Sequence, residues 1–267
     1  MSAEAKPPAV QCRPVEDYGE LQVVARLQGE AWPPEGWTSP WQMKAAVMHG
    51  GSVIAAYDGG DPVGFCYAFP AYDGKRHYLH SHMMVVRAAY RDRGIGMRLK
   101  AEQRRWALEY GYGVITWTFD PFQMRNAHLN LHKLGGTVGR YCREVYGTDA
   151  AGDPSDRFLV EWELDSPRVR GALEGHPPQD ARWESYPAAL GFGGDAAENA
   201  FGGRGVLLAA PKRFAELKAE RPEDAVRWKL AFRGMCEEAF RRGYRVVGLL
   251  PGGENAAYYV LERADGR

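Results

Sequence analysis

Between residues 77 and 119 the hydrophobic pattern of the chain changes period. HYLHSHMMVV, residues 77 to 86, is an apolar run that reads as a strand. A glycine loop, RDRGIG, occupies residues 91 to 96. After it, Ile95, Leu99, Trp106 and Tyr110 recur at helical spacing with Arg, Lys and Glu between them. Gly111 and Gly113 end that helix, and VITWTF, residues 114 to 119, is β-branched and aromatic, hence a strand. A second short helix, RNAHLNLHKL, runs to the Gly135-Gly136 pair, with Asp120 placed to cap it and Pro121 suited to its first turn. Strand, glycine loop, helix, strand, helix is an α/β pattern.

The loop sits where a strand hands over to a helix. There the first helical turn presents unpaired N–H groups and the helix dipole is positive. Glycine allows positive φ and close backbone approach, so such a turn is a nest for an anion, usually phosphate. Arg87, Arg91, Arg93 and Arg98 add positive charge around it. The loop is neither G-x-x-x-x-G-K-[ST] nor G-x-G-x-x-G, which excludes a P-loop and a dinucleotide fingerprint. What remains is R-x-x-G-x-G, on Arg91, Gly94 and Gly96.

The flanking sequence supplies the other elements. AVQCR (9–13) reads as a strand, and residues 15–31 as a helix with Leu21, Val24, Ala25 and Gln28 along one side. A proline-rich break and a short helix, WQMKAAVMHG, follow. VIAAY, a DGGDP turn and VGFCYAF form a hairpin. GRYCREVYG and RFLVEWEL are two further strands. Residues 171–205 are rich in Gly, Pro and Ala and read as a long connection with little regular structure. GVLLAAP is then a strand. A long amphipathic helix comes next, with Val226, Leu230, Phe232, Met235 and Phe240 among its apolar positions. YRVVGLL and AAYYVLER close the pattern as strands.

The glycine loop in this context resembles the pyrophosphate loop of the GNAT superfamily of acyl-CoA-dependent N-acyltransferases, whose motif is Q/R-x-x-G-x-G/A. The order of elements matches that superfamily over roughly residues 9–164. FDPFQMRNAHLNLHKLGG further resembles a branch with a D-P-x-x-x-R-N-A-x-x-N-x-x-x-L-G signature and a C-terminal extension. The resemblance implies an α/β fold with a mixed, mostly antiparallel sheet flanked by helices. It implies an acyl-CoA-binding domain over 9–164, a connection over 165–204, and a β-α-β-β extension over 205–267 packed on the first lobe.

The resemblance also implies roles. The pantetheine arm of acyl-CoA pairs with the backbone of Met84, Val85 and Val86. The pyrophosphate takes amides from Arg91, Asp92, Arg93, Gly94, Ile95, Gly96 and Met97, and Asn126 touches the CoA arm. His80 and His82 are the candidate bases, sharing one face of their strand. The tyrosine that serves many of these enzymes as general acid is replaced here by Leu131. Tyr146, Tyr141 and Asn130 are its candidate substitutes. Trp37, with Trp32 and Trp41, stands in the region that walls the acceptor site, and Arg125 and Arg143 are candidate clamps for a carboxylate. The implied reaction moves an acyl group, acetyl by default and succinyl as an option, to the primary amine of a small metabolite such as an amino acid. A binding module that senses acyl-CoA without turnover is the alternative.

Composition removes other classes. The 34 basic and 34 acidic residues balance, which gives no global pull toward nucleic acid or a membrane. No apolar run reaches ~18 residues, and the N-terminus lacks the blocks of a signal peptide. Cys12, Cys66, Cys142 and Cys236 are dispersed without a C-x-x-C, which suits reduced thiols in a cytoplasm. His128 and His132 have metal-ligand spacing but no third ligand in the sequence pattern, so no metal is expected. A homodimer stays open.

Overall fold

The computed structural model describes residues 10–149, 152–191, 197 and 200–263. The chain divides into two compact units, Met1–Thr116 and Trp117–Arg267. The architecture is mixed α/β with a largely antiparallel sheet flanked by helices.

The first unit orders its strands β1 (Gln11–Pro14), β2 (Ser52–Asp58), β3 (Asp61–Tyr72), β4 (His77–Val86) and the start of β5 (Val114–Phe119). β1 to β4 pair antiparallel, and β5 joins β4 in parallel at Leu79–Ile115 and His80–Thr116. β2 and β3 are continuous apolar runs because both of their faces are covered. Ala55, Phe65 and Tyr67 pack against Leu21 and Val24 of α1 (Tyr18–Ala25) and Met43 of α2 (Pro40–Met48). Ile54, Ala56 and Cys66 face the other way, onto Ile95 and Leu99 of α3 (Ile95–Tyr110). Side chains such as Leu21, Val24 and Met43, all wholly buried, contribute about 1.5–3 kcal/mol each.

The helix expected over 15–31 is shorter than its periodicity suggests. α1 is capped by Asp17, whose carboxylate accepts from Glu20 N–H, and it gives way to a 3₁₀ turn over Arg26–Glu30. Gln28 supplies the physical reason. Its buried amide donates to Ala25 O and Thr38 O and accepts from Thr38 N–H, which folds the proline-rich segment back onto the turn.

The second unit orders its strands as the end of β5, β7 (Arg157–Glu163), β6 (Thr137–Cys142), β10 (Tyr244–Gly252), β11 (Ala256–Arg263), β9 (Gly205–Pro211) and β8 (Ala188–Leu190). β10 pairs antiparallel with β6 at Val246–Val138, so the C-terminal strands extend the sheet. The helix expected from Asp120 starts later. Asp120 instead accepts from Phe122 N–H in a turn, and α4 (Met124–Ala127) passes into a π-helical turn over His128–Lys133. Segment 165–204 is more regular than its glycines and prolines suggest. It holds α5 (Pro167–Leu173), capped by Ser166, a 3₁₀ turn over Ala181–Ser185, and β8. Part of its glycine-rich stretch lies outside the described residues.

Helix α6 (Phe214–Glu220), not foreseen from the sequence, precedes α7 (Pro222–Arg241). On α7 the buried face is Ala225, Lys229, Phe232, Met235, Cys236 and Ala239, while Leu230 is exposed. An aromatic cluster binds the extension to the strands before it. Phe122 stacks on Phe214 at 4.2 Å, and Phe158 meets Tyr259 at 5.3 Å and Phe232 at 5.8 Å. That shared core explains why the compact units divide inside β5 and not near residue 165. Among the described residues, no helix is long and apolar enough to cross a membrane.

Candidate active site

Strand β4 leaves its register with β3 in the middle. Met83 pairs with Tyr67 and Ser81 with Ala68, so His82 is the extra residue of a β-bulge. Bulges re-aim side chains and bend the strand. Here the bulge keeps His80 and His82 on one side, around Phe69, with ring centres 5.2 Å and 5.9 Å from it. Ser81, between them, is buried on the opposite side against α3.

The two histidines differ. His80 Nδ1 lies 2.9 Å from Thr116 Oγ1, and burial first, then the charges of His82 and Lys100, drop its pKa to about 4. His82 opens to solvent, yet the protein atoms crowding it still lower its pKa below the usual imidazole value. Both rings are therefore neutral at pH 7, and burial weakens His80 as a base.

His82 opens onto a cleft of about 430 Å³ whose lining includes Thr38, Gln42, His49, Tyr67 and Phe69. Helix α2 supplies Gln42, with Ser39 as its N-cap. Thr38 is held by Gln28 through its backbone, and its hydroxyl donates to Met83 Sδ at 3.6 Å. Trp37, next to Thr38, is partly exposed and donates its indole N–H to Trp32 O at 2.9 Å. The sequence pattern missed Tyr67, Gln42 and Thr38. The available signal was a lone phenol inside the apolar run VGFCYAF.

At the far end of β4, the chain turns into α3 through two left-handed residues, Asp92 (φ 63) and Gly94 (φ 75). Gly94 is the N-cap and offers no side chain, so the amides of Ile95, Gly96 and Met97 start the helix without a side-chain cap. A Cβ on Gly96 would meet nothing nearer than Met84 Cε at 3.8 Å. The turn thus fits an anion approaching the backbone. The guanidinium groups are placed differently from the sequence expectation. Arg91 donates to Val86 O (3.2 Å) and Glu30 O (3.4 Å), and Arg98 donates to Val10 O. Arg93 lies over the Tyr90 ring at 5.2 Å. These side chains brace the turn.

The remaining predicted residues belong to the second unit. Asn126 and Arg125 are exposed at the start of α4. Arg143 is engaged by Glu237 through two hydrogen bonds. Tyr146 is 64% exposed, and its ring lies under Arg157 at 5.4 Å. Tyr141 is buried, donates to Asp156 at 2.9 Å, and has its pKa pushed far up by burial. Asn130 accepts from the Trp117 indole at 3.2 Å. Tyr141 and Asn130 are thus committed to the core. His128 and His132 stack at 4.6 Å. Among the described residues no three His, Cys, Asp or Glu side chains gather as they would around a metal ion.

Residues 18–135 match the model of the Acetyltransferase (GNAT) family. The chain is similar to an N-acetyltransferase from Staphylococcus aureus Mu50, with a TM-score of 0.50 and 14% identity over 59% of this chain and 99% of that one. It is also similar to yncA from Salmonella typhimurium, solved with its cofactor acetyl-CoA (TM-score 0.49, 19% identity, 59% and 95% covered). Arabidopsis thaliana Naa50, in complex with the bisubstrate analogue CoA-Ac-MVNAL, is a third (TM-score 0.47, 16% identity, 57% and 97% covered). No curated protein sequence matches the chain.

Proposed function

We propose, from the match of residues 18–135 to the Acetyltransferase (GNAT) family model, that the protein transfers an acyl group from acyl-CoA to a primary amine, directly, in a ternary complex. The observation that carries this is one strand–turn–helix unit holding two functional parts. Its helix start at Gly94 suits a phosphate, and its bulge turns His82 out of β4.

The residues then take these roles. Amides of the Arg91–Met97 turn bind the pyrophosphate, and the backbone of Met84–Val86 pairs with the pantetheine arm. The amine nitrogen attacks the thioester carbon, the C–S bond breaks, and the CoA thiolate leaves. The amine proton passes to His82, directly or through water. His82 is preferred over His80 because a base of pKa about 4 takes up a proton poorly near pH 7. A backbone N–H beside the bulge stabilises the oxyanion. A thiol's pKa near ~8.5 makes the thiolate a tolerable leaving group without an acid, which suits Leu131 in the usual tyrosine position. Acetyl is the default acyl group and succinyl the option. Within the first unit, Trp37 is the candidate acceptor contact.

Leu131 also favours a second reading, an acyl-CoA-binding sensor without turnover. One experiment separates them. The protein is mixed with acetyl-CoA or succinyl-CoA and a panel of amines, and thermal stability and free-thiol release are followed. Stabilisation with thiol release supports the enzyme, and stabilisation alone supports the sensor. No stabilisation by any CoA species removes both.

A further inference from the structure

We propose that the cleft between α2 and β3 selects an amine carried on an uncharged body, and that the Tyr67 hydroxyl recognises a carbonyl or hydroxyl group on that body. The proposal rests on the acyl-transfer reading only for the fate of the amine.

Tyr67 is the first observation. It is 1% exposed, in the middle of β3, and it is one of the residues that line the cleft. The phenolic oxygen has no partner in hydrogen-bond geometry, although the Gln42 amide lies near enough to pull its pKa down against the larger upward push of burial. A buried hydroxyl without a partner costs about 1–3 kcal/mol, and phenylalanine would fill the same space without that cost. The hydroxyl therefore weakens the apolar cluster it belongs to unless something in the cleft accepts its proton.

The lining is the second observation. Among the described residues it includes no Asp, Glu, Lys or Arg. The polar atoms come from Thr38, Gln42, Tyr67 and two imidazoles, set against Phe69, Pro70 and two alanines. A carboxylate or phosphate seated there would lose water and gain no countercharge. An aromatic or aliphatic body finds Phe69 and the edge of Tyr67, and one polar group on it reaches the hydroxyl. The free amino acid suggested by the sequence fits this lining poorly, whereas its amide, with the carboxylate neutralised, fits it.

Phenylalaninamide, phenylalanine and phenethylamine are matched probes. Each is titrated calorimetrically into the full-length protein saturated with CoA, and each is offered with acetyl-CoA for turnover. Phenylalaninamide should bind about tenfold or more tighter than phenylalanine. Tyr67→Phe should weaken phenylalaninamide about fivefold and leave phenethylamine and CoA unchanged. Since the hydroxyl holds no other group in place, this variant should fold normally, with an unchanged or higher Tm. Gln42→Leu, on the exposed side of α2, gives a second test at the same lining. Equal binding of phenylalanine and its amide, an equal effect of Tyr67→Phe on all three probes, or no binding of any would overturn the proposal. The expected binding order without acetyl transfer would remove the acyl-transfer reading and leave this one standing.

Discussion

Lys100 Nζ donates to Ser81 Oγ across 2.8 Å, behind β4 and one residue from the bulged His82. The lysine is 2% exposed, and it also donates to Gln103 Oε1 at 3.0 Å. Burial drops its pKa to about 8, only partly opposed by Cys66. The sign follows from which state holds the proton. Between about pH 8 and the unfolded value near 10.5, the unfolded chain keeps a proton that the folded chain has released. Folding should therefore strengthen with pH across that window, by up to about 3 kcal/mol, relative to a Lys100→Met variant. Denaturant unfolding of both proteins at pH 7.5 and 10 measures it. A difference that does not move with pH would mean the lysine titrates normally.

His82→Ala and His80→Ala should separate the two imidazoles. Loss of the His82 ring should lower kcat about 10²-fold or more and remove the acid limb of the kcat/KM profile. That limb should lie below the ordinary histidine range, because a depressed pKa keeps the base neutral to lower pH. His80→Ala should cost less, acting through the packing around Phe69 and Thr116. Comparable losses in both variants, with the limb intact, would assign proton removal elsewhere.

Gly96→Ala separates folding from binding. The position has room for a Cβ, and no strained φ is needed there. Alanine in the first turn of α3 should stabilise the protein by about 0.5–1 kcal/mol. If the turn's amides hold the pyrophosphate as proposed, the added methyl group should crowd it, and CoA affinity should fall at least about tenfold. Tm and CoA titration on one sample test both. An unchanged affinity would show that the turn does not hold the phosphates.

The first unit was legible because its signals are local. An apolar run of ten residues, two glycines and a 3.6-residue period specify β4, the turn and α3 nearly to the residue. The bulge was not legible, because it depends on register with β3, and the sequence of β4 alone carries no mark of it. The cleft was missed for a similar reason. Thr38, Gln42 and Tyr67 come from three elements, and only folding brings them to one wall. The guanidinium groups of the loop mislead because charge in sequence does not say which carbonyl a side chain will reach, as Arg91 and Arg98 demonstrate. In the extension, the buried face of α7 departs from the apolar pattern because Lys229 is buried against Asp153 and Pro154 O, while Leu230 points outward.

The ion pair between Asp156 and Arg233 gives the extension its own test. Asp156 is 2% exposed and accepts from Arg233 at two oxygens, both at 2.8 Å, from Tyr141 at 2.9 Å and from Glu144 N–H at 3.0 Å. Burial tends to raise its pKa, but these donors, Arg233 foremost, hold it below the usual carboxylate value. Its contribution is therefore present above the unfolded pKa near 3.8 and is lost as pH falls through that region toward the folded value. Asp156→Ala strips three donors of their acceptor and leaves Arg233 with Glu144 alone, so it should cost about 3–5 kcal/mol. Arg233→Leu should cost less in the Asp156→Ala background than alone, because the charge it would orphan is already gone. Urea unfolding of the four proteins completes the cycle. Additive effects would mean that the pair does not act as one unit.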